Sequence, residues 1–246
     1  MKKLLAALLV TAAVTLPAAA ADFNLSTFNR QVDETNLLLN KGCSATLVAP
    51  DKALTAHHCV EDNYENRVVE EVDPNTGEVR KVTKQFLVPG TVSRLAFGRA
   101  GAEEMRIIVR YDLLKYDSDG DLALVRLKEP LKGTPAPIAC IGPKRGDVVW
   151  AVGNSLGVLY SSVTTGTVSS IDRNRGDLLT GGSFDHRLVQ HTAPIAPGNS
   201  GGALYNTDMK LIGVNILAAI GYDGLGFAVS TEDVNKFLAD QGIPCQ

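Results

Sequence analysis

The chain has 246 residues, of which 45% are hydrophobic and 21% are charged. This composition is typical of a globular protein with one large domain or two small domains that share a core. The formal net charge is −3 and no basic run occurs, so we expect no nucleic-acid partner.

The N-terminus has the pattern of an export signal. Lys2 and Lys3 precede an apolar run over residues 4–16, and alanines at 18–21 form a small-residue cleavage site. A buried N-terminal helix is the alternative, but the order of charge, apolar run and small residues favours a signal peptide over residues 1–21. Because the run is too short to span a bilayer, we expect no stable membrane anchor and a periplasmic or extracellular location.

The rest of the chain contains an even number of cysteines, which in an oxidising compartment predicts two disulfide bonds. Three pairings are possible, and the spacing alone leaves them open. Neither Cys-x-x-Cys nor His-x-x-x-His spacing occurs, so we expect no metal site, and no cofactor is expected either. The cysteines are Cys43, Cys59, Cys140 and Cys245.

Short segments with alternating or β-branched residues, each ending at turn residues, occur along most of the chain. The stretch from Asp73 to Glu78 is predicted to be a hairpin turn between two of them. Their length and regular spacing predict an all-β sandwich or barrel. In chain order the predicted strands are CSATLVAP, KALTA, RVVEEV, EVRKVTKQFLV, MRIIVRYDLL, DLALVRL, DVVWAVG, GTVSSI, RLVQHT, KLIGVNIL and LGFAVS.

One helix is predicted, close to the C-terminus. Ser230 is its expected N-cap, Asp233 completes a capping box, and Gly242 ends the helix. A single terminal helix among so many strands argues against a sheet built from βαβ units. The apolar face of this helix consists of Val234, Phe237 and Leu238.

The strongest chemical signal is APGNSGGAL, residues 196–204. Ser200 lies among Gly198, Gly201 and Gly202, which permit a turn that exposes Oγ and lets N–H groups converge on one point. Alone, the stretch also fits an ordinary glycine-rich hairpin. It matches the Gly-x-Ser-x-Gly of α/β-hydrolases as well, but those enzymes place the catalytic histidine after the serine, and here every histidine precedes Ser200.

The remaining chain order is histidine, aspartate, serine. The stretch TAHHC at 55–59 supplies a base, and DGDLALVRL supplies an acid, Asp121, directly before an apolar strand. A buried carboxylate can accept the Nδ1–H of a histidine and thereby fix its tautomer. A plain turn residue is the alternative for Asp121. DSDGD also resembles the start of a calcium-binding loop, but its glycine is misplaced and the partner glutamate is missing.

Together, TAHHC, DLALVRL and PGNSGGAL resemble, in this order, the three catalytic blocks of the chymotrypsin-like (trypsin-fold) serine proteases. IACIGPKRGDVVWAVGN is similar to the start of that family's second barrel. The resemblance implies two six-stranded antiparallel β-barrels, a C-terminal α-helix and an active site in the cleft between the barrels. The segment KEPLKGTPAPIAC, with three prolines and a glycine, is the best candidate for a connection between two halves. We therefore expect an N-terminal segment and the first barrel in residues 22–130, a connection in 131–140, and the second barrel with the helix in 141–246.

The resemblance also implies residue roles. The family block reads Thr-Ala-Ala-His-Cys, so His58, directly before the cysteine, is implied to be the base and His57 to be structural. Asp121 would orient His58, and Ser200 would be the nucleophile. The N–H groups of Gly198 and Ser200 would stabilise the oxyanion.

The family pattern implies a partner for each cysteine: Cys43 would pair with Cys59, and Cys140 with Cys245. The remaining histidines, which we expect at the surface or in the core, are His186 and His191.

The resemblance also locates a primary specificity pocket, whose walls would come from residues 216–218 and 224–227. None of its residues is charged, so we predict a protein or peptide substrate with an apolar, small aliphatic side chain before the cut bond. The predicted pocket residues are Pro194, Ile195, Ile216, Leu217, Ala218 and Gly226.

Asn199 stands where digestive members of the family carry an aspartate, so we expect no activation of the trypsinogen type. With DLALVRL and LIGVN, this asparagine is more similar to bacterial periplasmic proteases of the high-temperature-requirement type and to glutamyl-endopeptidase relatives. The segment after Ser200 is needed to complete the second barrel, so no PDZ domain is expected. The expected function is a secreted serine endopeptidase. A catalytically silent binding module on the same fold is the alternative, and an esterase is a minor one.

Overall fold

The computed structural model describes residues 24–39, 42–60, 64–74, 76–87, 90–96, 105–174, 186–219 and 224–246. The predicted signal peptide, residues 1–21, lies outside these ranges. Of the helices in the described ranges, none is long and apolar enough to cross a membrane.

Two closed antiparallel barrels of six strands each make up most of the structure, which confirms the predicted all-β fold. Neighbouring strands of the first barrel are joined mainly in chain order, and its last strand returns beside the third. Its strands in barrel order are β1 (Asn36–Leu39), β2 (Ser44–Ala49), β3 (Lys52–Thr55), β8 (Leu122–Leu127), β7 (Met105–Asp117) and β6 (Gly90–Ala96).

The second barrel has the same number of strands and follows the predicted connection, which lies between β8 and the first strand of this barrel. Its strands in barrel order are β10 (Leu159–Asn174), β11 (Arg187–His191), β14 (Gly226–Val229), β13 (Leu211–Ala218), β12 (Ala203–Tyr205) and β9 (Val148–Ser155).

The pair β4 (Tyr64–Val72) and β5 (Val79–Leu87) forms a separate two-stranded ribbon between the first histidines and β6. The N–H of Asp73 donates to the carbonyl of Glu78 at 2.9 Å, which closes the predicted hairpin turn. Every one of the predicted strand segments therefore corresponds to a strand, whereas β1, β6 and β12 were not predicted.

The strand β8, which follows Asp121, is buried along almost its whole length. In β8 only Arg126 is exposed, and the other five residues, all apolar, are buried. A strand that is covered on both faces has a nearly continuous apolar sequence. Because β8 begins at Leu122, directly after Asp121, its burial fixes the backbone that follows this aspartate in the first barrel.

The predicted C-terminal helix is present as α2 (Thr231–Leu238), and the Ser230 Oγ accepts the N–H of Asp233 at 3.2 Å. After one further turn of 3₁₀ helix, Gly242 has a φ of +68° and ends the element. Left-handed glycine is the usual C-terminal cap.

A second helix, α1 (Leu25–Thr35), precedes the first barrel and was not predicted. Asn24 caps it, since its side chain accepts the N–H of Thr27 at 3.0 Å. Phe28 packs on the second barrel, with its ring centroid 5.5 Å from that of Trp150 and 6.3 Å from that of Tyr205. This helix therefore joins the first strand of one barrel to the core of the other.

Candidate active site

His58 and Asp121 lie side by side in the first barrel. His58 is in the single 3₁₀ turn His57–Cys59 after β3, and Asp121 ends the turn between β7 and β8. The Nδ1 of His58 is 2.8 Å from the Oδ2 of Asp121, and the backbone N–H of His58 donates to its Oδ1 at 3.0 Å. Asp121 is only 3% exposed. This carboxylate selects the tautomer with a proton on Nδ1, which leaves Nε2 free to accept one.

His57 points elsewhere. Its ring stacks on that of Tyr116 with the centroids 4.8 Å apart and an interplanar angle of 12°. Only its backbone contributes to the pair above, because the His57 N–H donates to the Asp121 carbonyl at 3.2 Å. The structure therefore gives the two adjacent histidines different environments, and only His58 contacts the buried carboxylate.

Ser200 lies in a turn between β11 and β12, and glycines with positive φ flank it: +96° at Gly198 and +82° at Gly201. Its carbonyl accepts the N–H of Ser44 at 2.8 Å and lies 3.6 Å from the Sγ of Cys59. These contacts bring the serine block against the strand and the cysteine that adjoin His58.

The Oγ of Ser200 donates to the carbonyl of Ile216 at 3.4 Å. No hydrogen bond joins Ser200 to His58 in the described part of the chain. In ligand-free sites such bonds are often long or absent and shorten only when substrate binds. The structure thus places Ser200 near the turn that carries His58 and Asp121, through Ser44 and Cys59, without a direct bond between Ser200 and His58 among the described residues.

The N–H groups of Gly198 and Ser200 donate to no other group within the described residues. The loop that carries them is fixed from two sides. The Oγ of Ser44 donates to the Gly198 carbonyl at 2.7 Å, and the Oγ of Ser155 donates to the Oδ1 of the buried Asn199 at 2.8 Å. Fixed N–H donors of this kind can stabilise the oxyanion of a tetrahedral intermediate.

The predicted pocket residues lie on neighbouring segments of the second barrel. Ala218 of β13 pairs with Gly226 of β14, and Leu217 pairs with Phe227. The carbonyl of Pro194 accepts the Oγ1–H of Thr164 at 2.6 Å. The remaining two pocket residues differ in burial: Ile216 is buried and Ile195 is partly buried against the core of the second barrel.

A buried histidine lies behind this pocket, and sequence reasoning placed it only as surface or core. His191 is fully buried; its Nε2 lies 3.2 Å from the Oδ1 of Asn215, and a Cβ added at Gly226 would lie 2.4 Å from the ring. Burial lowers the pKa of His191 to about 4, so the ring is neutral at pH 7. The side chain packed against Gly226 is therefore uncharged.

Both implied disulfide bonds are present, Cys43–Cys59 and Cys140–Cys245. The first lies beside the histidine turn. The sulfur atoms of Cys43 and Cys59 lie within 4.8 Å of a His58 nitrogen, which is the spacing of a metal site. The disulfide bond, however, occupies the thiolates that a metal would require.

The polar contacts behind the serine turn were missed by sequence reasoning. The Oγ of Ser44 accepts the backbone N–H of Asn154 at 2.7 Å while it donates to Gly198, and the Nδ2 of Asn154 donates to the carbonyl of Leu37 at 2.9 Å. Each of these bonds joins residues more than a hundred positions apart in the chain, and no local pattern marks Ser44, Asn154 or Leu37 as partners. The sequence therefore carried no signal for this junction between the barrels.

Comparison with known proteins gives a consistent result. Residues 43–214 match the family described as trypsin-like peptidase domain. The serine protease Do-like HtrA of Bacillus subtilis (strain 168) is 33% identical over 169 residues, which are 67% of this chain and 36% of the relative. The probable periplasmic serine endoprotease DegP-like of Rickettsia prowazekii is 39% identical over 133 residues, 51% of this chain and 25% of the relative. The chain thus spans well under half of the length of either relative.

The fold is also shared with solved structures. The serine endoprotease from Yersinia pestis superposes on 87% of this chain and 65% of its own with a TM-score of 0.57, at 24% sequence identity.

Proposed function

Because the chain belongs to the family of trypsin-like peptidase domains, we propose that it is a serine endopeptidase with Ser200 as nucleophile, His58 as general base and Asp121 as the carboxylate that orients the base. The observation that carries the proposal is the 2.8 Å contact between His58 Nδ1 and the buried Asp121, next to a glycine-flanked serine. A carboxylate buried against a histidine has this geometry in the Ser-His-Asp mechanism.

The proposed reaction proceeds through an acyl-enzyme. The Nε2 of His58 takes the proton of Ser200 Oγ as Oγ attacks the carbonyl carbon of the peptide bond. The N–H groups of Gly198 and Ser200 stabilise the oxyanion, and each such donor is worth about 10²–10³-fold in kcat. The same His58 proton then goes to the leaving amine. A water molecule, activated by His58, finally hydrolyses the ester on Ser200.

The proposed substrate is a protein or peptide with a small aliphatic residue before the cut bond. The uncharged lining of the predicted pocket supports this preference, because an acidic base would be needed to select lysine or arginine by charge pairing. A peptide library with every residue at that position tests it. Preferential cleavage after lysine, arginine or glutamate would refute the proposed specificity.

The proposed location is the periplasm or the medium. The export pattern of residues 1–21 and the periplasmic relative from Rickettsia prowazekii support it. N-terminal sequencing of the protein from a periplasmic fraction tests it, and we expect a new N-terminus near Asp22. An unprocessed chain in the cytoplasmic fraction would contradict it.

Activity is proposed to need no cleavage of the trypsinogen type. Asn199 is buried, and its Oδ1 accepts a hydrogen bond from Ser155 and carries no charge to pair with a new N-terminus. The exported protein should therefore be active as isolated. Activity that appears only after a cut in the segment before β2 would contradict this.

The decisive test is covalent labelling. Intact mass is measured before and after reaction with a fluorophosphonate probe, for the wild type, Ser200→Ala, His58→Ala and the matched control His57→Ala. We expect one adduct on the wild type and on His57→Ala, because His57 stacks on Tyr116 and does not contact Asp121. We expect none on the other two.

The opposite results are equally informative. Wild type without an adduct, with both disulfides formed, would favour the catalytically silent binding module. Loss of labelling in His57→Ala together with retention in His58→Ala would show that His57, and not His58, is the base.

A further inference from the structure

A second contact between a histidine and aspartates, apart from that of His58 with Asp121, joins the first barrel to the C-terminal helix. The Nε2 of His186 is 3.2 Å from the Oδ2 of Asp117, the last residue of β7. Its Nδ1 is 3.6 Å from the Oδ1 of Asp233, in the first turn of α2, which is a packing contact longer than a hydrogen bond. We call these three residues the histidine clip. The His186 side chain is 19% exposed, so the clip is mostly shielded from solvent.

The Asp117 end of the clip shapes the turn that leads to Asp121. The Oδ1 of Asp117 accepts the N–H groups of Asp119 at 3.1 Å and Gly120 at 3.0 Å. A Cβ added at Gly120 would lie 2.8 Å from Asp117 Oδ2 and 3.0 Å from the Cε1 of His186. The backbone just before Asp121 is thus packed directly against the clip.

Asp121 itself has a φ of +55°, in the left-handed region. Aspartate tolerates this conformation better than most residues with a side chain, but it still costs free energy that neighbouring contacts must offset. The strand β8 fixes the chain after Asp121, and the clip is packed on the residue before it. The orientation of the Asp121 carboxylate toward His58 therefore depends on β8 after it and on the histidine clip before it.

The Asp233 end of the clip is rigid. The Oδ2 of Asp233 accepts the Oγ–H of Ser230 at 3.0 Å and the backbone N–H of Arg187 at 2.8 Å. Asp233 thereby fixes the start of the helix and the start of β11, and His186 adjoins both. Through its contact with Asp117, the His186 ring links the start of the helix and of β11 to the turn that follows β7.

Two lysines lie near the histidine clip, and the contacts of one of them lie elsewhere. Lys115 and Lys236 line the same cavity as the clip. The Nζ of Lys115 is engaged with the Phe237 carbonyl at 2.8 Å and with Asp240 at 2.6 Å, not with the clip. A histidine has one N–H when neutral and two when protonated, so the ring can donate to Asp117 in either form.

From these contacts we propose that His186 is a positioning residue for Asp121. It tethers the Asp117–Asp121 turn to the C-terminal helix and so fixes the carboxylate that orients His58. The proposal rests on the proposed function for its kinetic readout and adds a residue from the second barrel to a pair that lies entirely in the first.

The test compares His186→Ala, His186→Gln and Lys115→Met with the wild type. The alanine variant removes the tether, and glutamine restores a donor toward Asp117. Lys115→Met cuts the other link between β7 and the helix, at Phe237 and Asp240, without touching the turn, and is the matched control. Each protein is characterised by kcat and KM on a reporter peptide, by urea unfolding, and by the downfield proton resonance of His58 Nδ1–H.

We expect His186→Ala to lower kcat about 10- to 100-fold with KM little changed, since small misplacements of a catalytic group have effects of this size. The His58 resonance should shift or broaden by exchange. His186→Gln should recover most of kcat, and Lys115→Met should keep kcat and the resonance while losing stability.

Three results would overturn the proposal: wild-type kcat and an unchanged resonance in His186→Ala, no recovery in His186→Gln, or an equal loss of kcat in Lys115→Met. The resonance separates this inference from the proposed function. If the wild type cleaves nothing, the endopeptidase proposal fails, while a His58 signal that moves in His186→Ala and not in Lys115→Met still supports the clip.

Discussion

Gly201 is the position where the serine turn fits most tightly on the first barrel, and its replacement by alanine is a quantitative test of how the barrels dock. Gly201 has a φ of +82°. A Cβ added there would lie 2.1 Å from the Ser44 carbonyl oxygen and 2.1 Å from the Oγ1 of Thr55. Both groups are buried, and Thr55 Oγ1 donates to the same Ser44 carbonyl at 2.7 Å, so a shift of either one alone would lengthen that bond.

Two costs add at this site. The left-handed conformation costs alanine about 1–2 kcal/mol, and forcing an extra methyl group into a packed site costs about 1–3 kcal/mol. Gly146 separates them, because it has a φ of +88° and open space around its Cβ position. We therefore expect Gly201→Ala to lower the free energy of unfolding by about 2–5 kcal/mol, and Gly146→Ala by only about 1–2 kcal/mol.

Both variants should be made in a Ser200→Ala background, so that self-cleavage does not distort the unfolding curves. Urea unfolding followed by tryptophan fluorescence and by circular dichroism gives the two free energies and shows whether the barrels unfold together. If Gly201→Ala loses no more stability than Gly146→Ala, the serine turn does not pack on Ser44 and Thr55 as described. The contact between the two barrels described here would then be incorrect.

Three further predictions follow from single contacts. Asp121→Asn keeps the side-chain shape but favours the wrong histidine tautomer, so kcat on a reporter peptide should fall by about 10⁴-fold; a loss below about tenfold would argue against the orienting role. Alanine at both Cys43 and Cys59 removes a bond across 16 positions and should lower the free energy of unfolding by about 3 kcal/mol, and an unchanged urea midpoint would contradict this. The pKa of His191 falls from 6.5 to about 4 on folding, so the unfolded chain binds the proton first as the pH drops. Its contribution, about 3 kcal/mol, is full above pH 6.5 and is lost progressively toward pH 4, and His191→Gln should show a flatter stability curve over that range; an identical slope would refute it.

Strand positions were largely predictable because alternation and β-branched residues extend over five or more residues in most strands. The strands that sequence reasoning missed include β1 and β12, which have four and three residues. Segments this short give only a weak period, and the four-residue strands β3 and β14 were predicted within longer apolar stretches, whereas the seven-residue β6 was also missed. The helix α1 was missed for a different reason: its one local start signal is the Asn24 cap, and Phe28 packs on rings of Trp150 and Tyr205 that lie far away in the chain.

The candidate site divides in the same way. Chain order and local motifs led to Ser200 and Asp121 as candidates, and their roles stay a prediction. The choice between His57 and His58 needed the family resemblance, since an adjacent pair has no internal signal that ranks one above the other. The left-handed φ of Asp121 and the role of His186 depend on contacts across the barrels, and no local pattern encodes them.

The Cys140–Cys245 bond joins positions 105 residues apart and encloses the whole second barrel in one covalent ring. A protease is exposed to its own activity, and a single nick anywhere between Ile141 and Pro244 would leave both pieces attached to each other. Such a nicked molecule would run as an intact chain on a non-reducing gel and as two fragments after reduction. Under the proposed function, the bond would keep the parts of the second barrel attached after such a nick, so that Ser200 would stay linked to the rest of the chain.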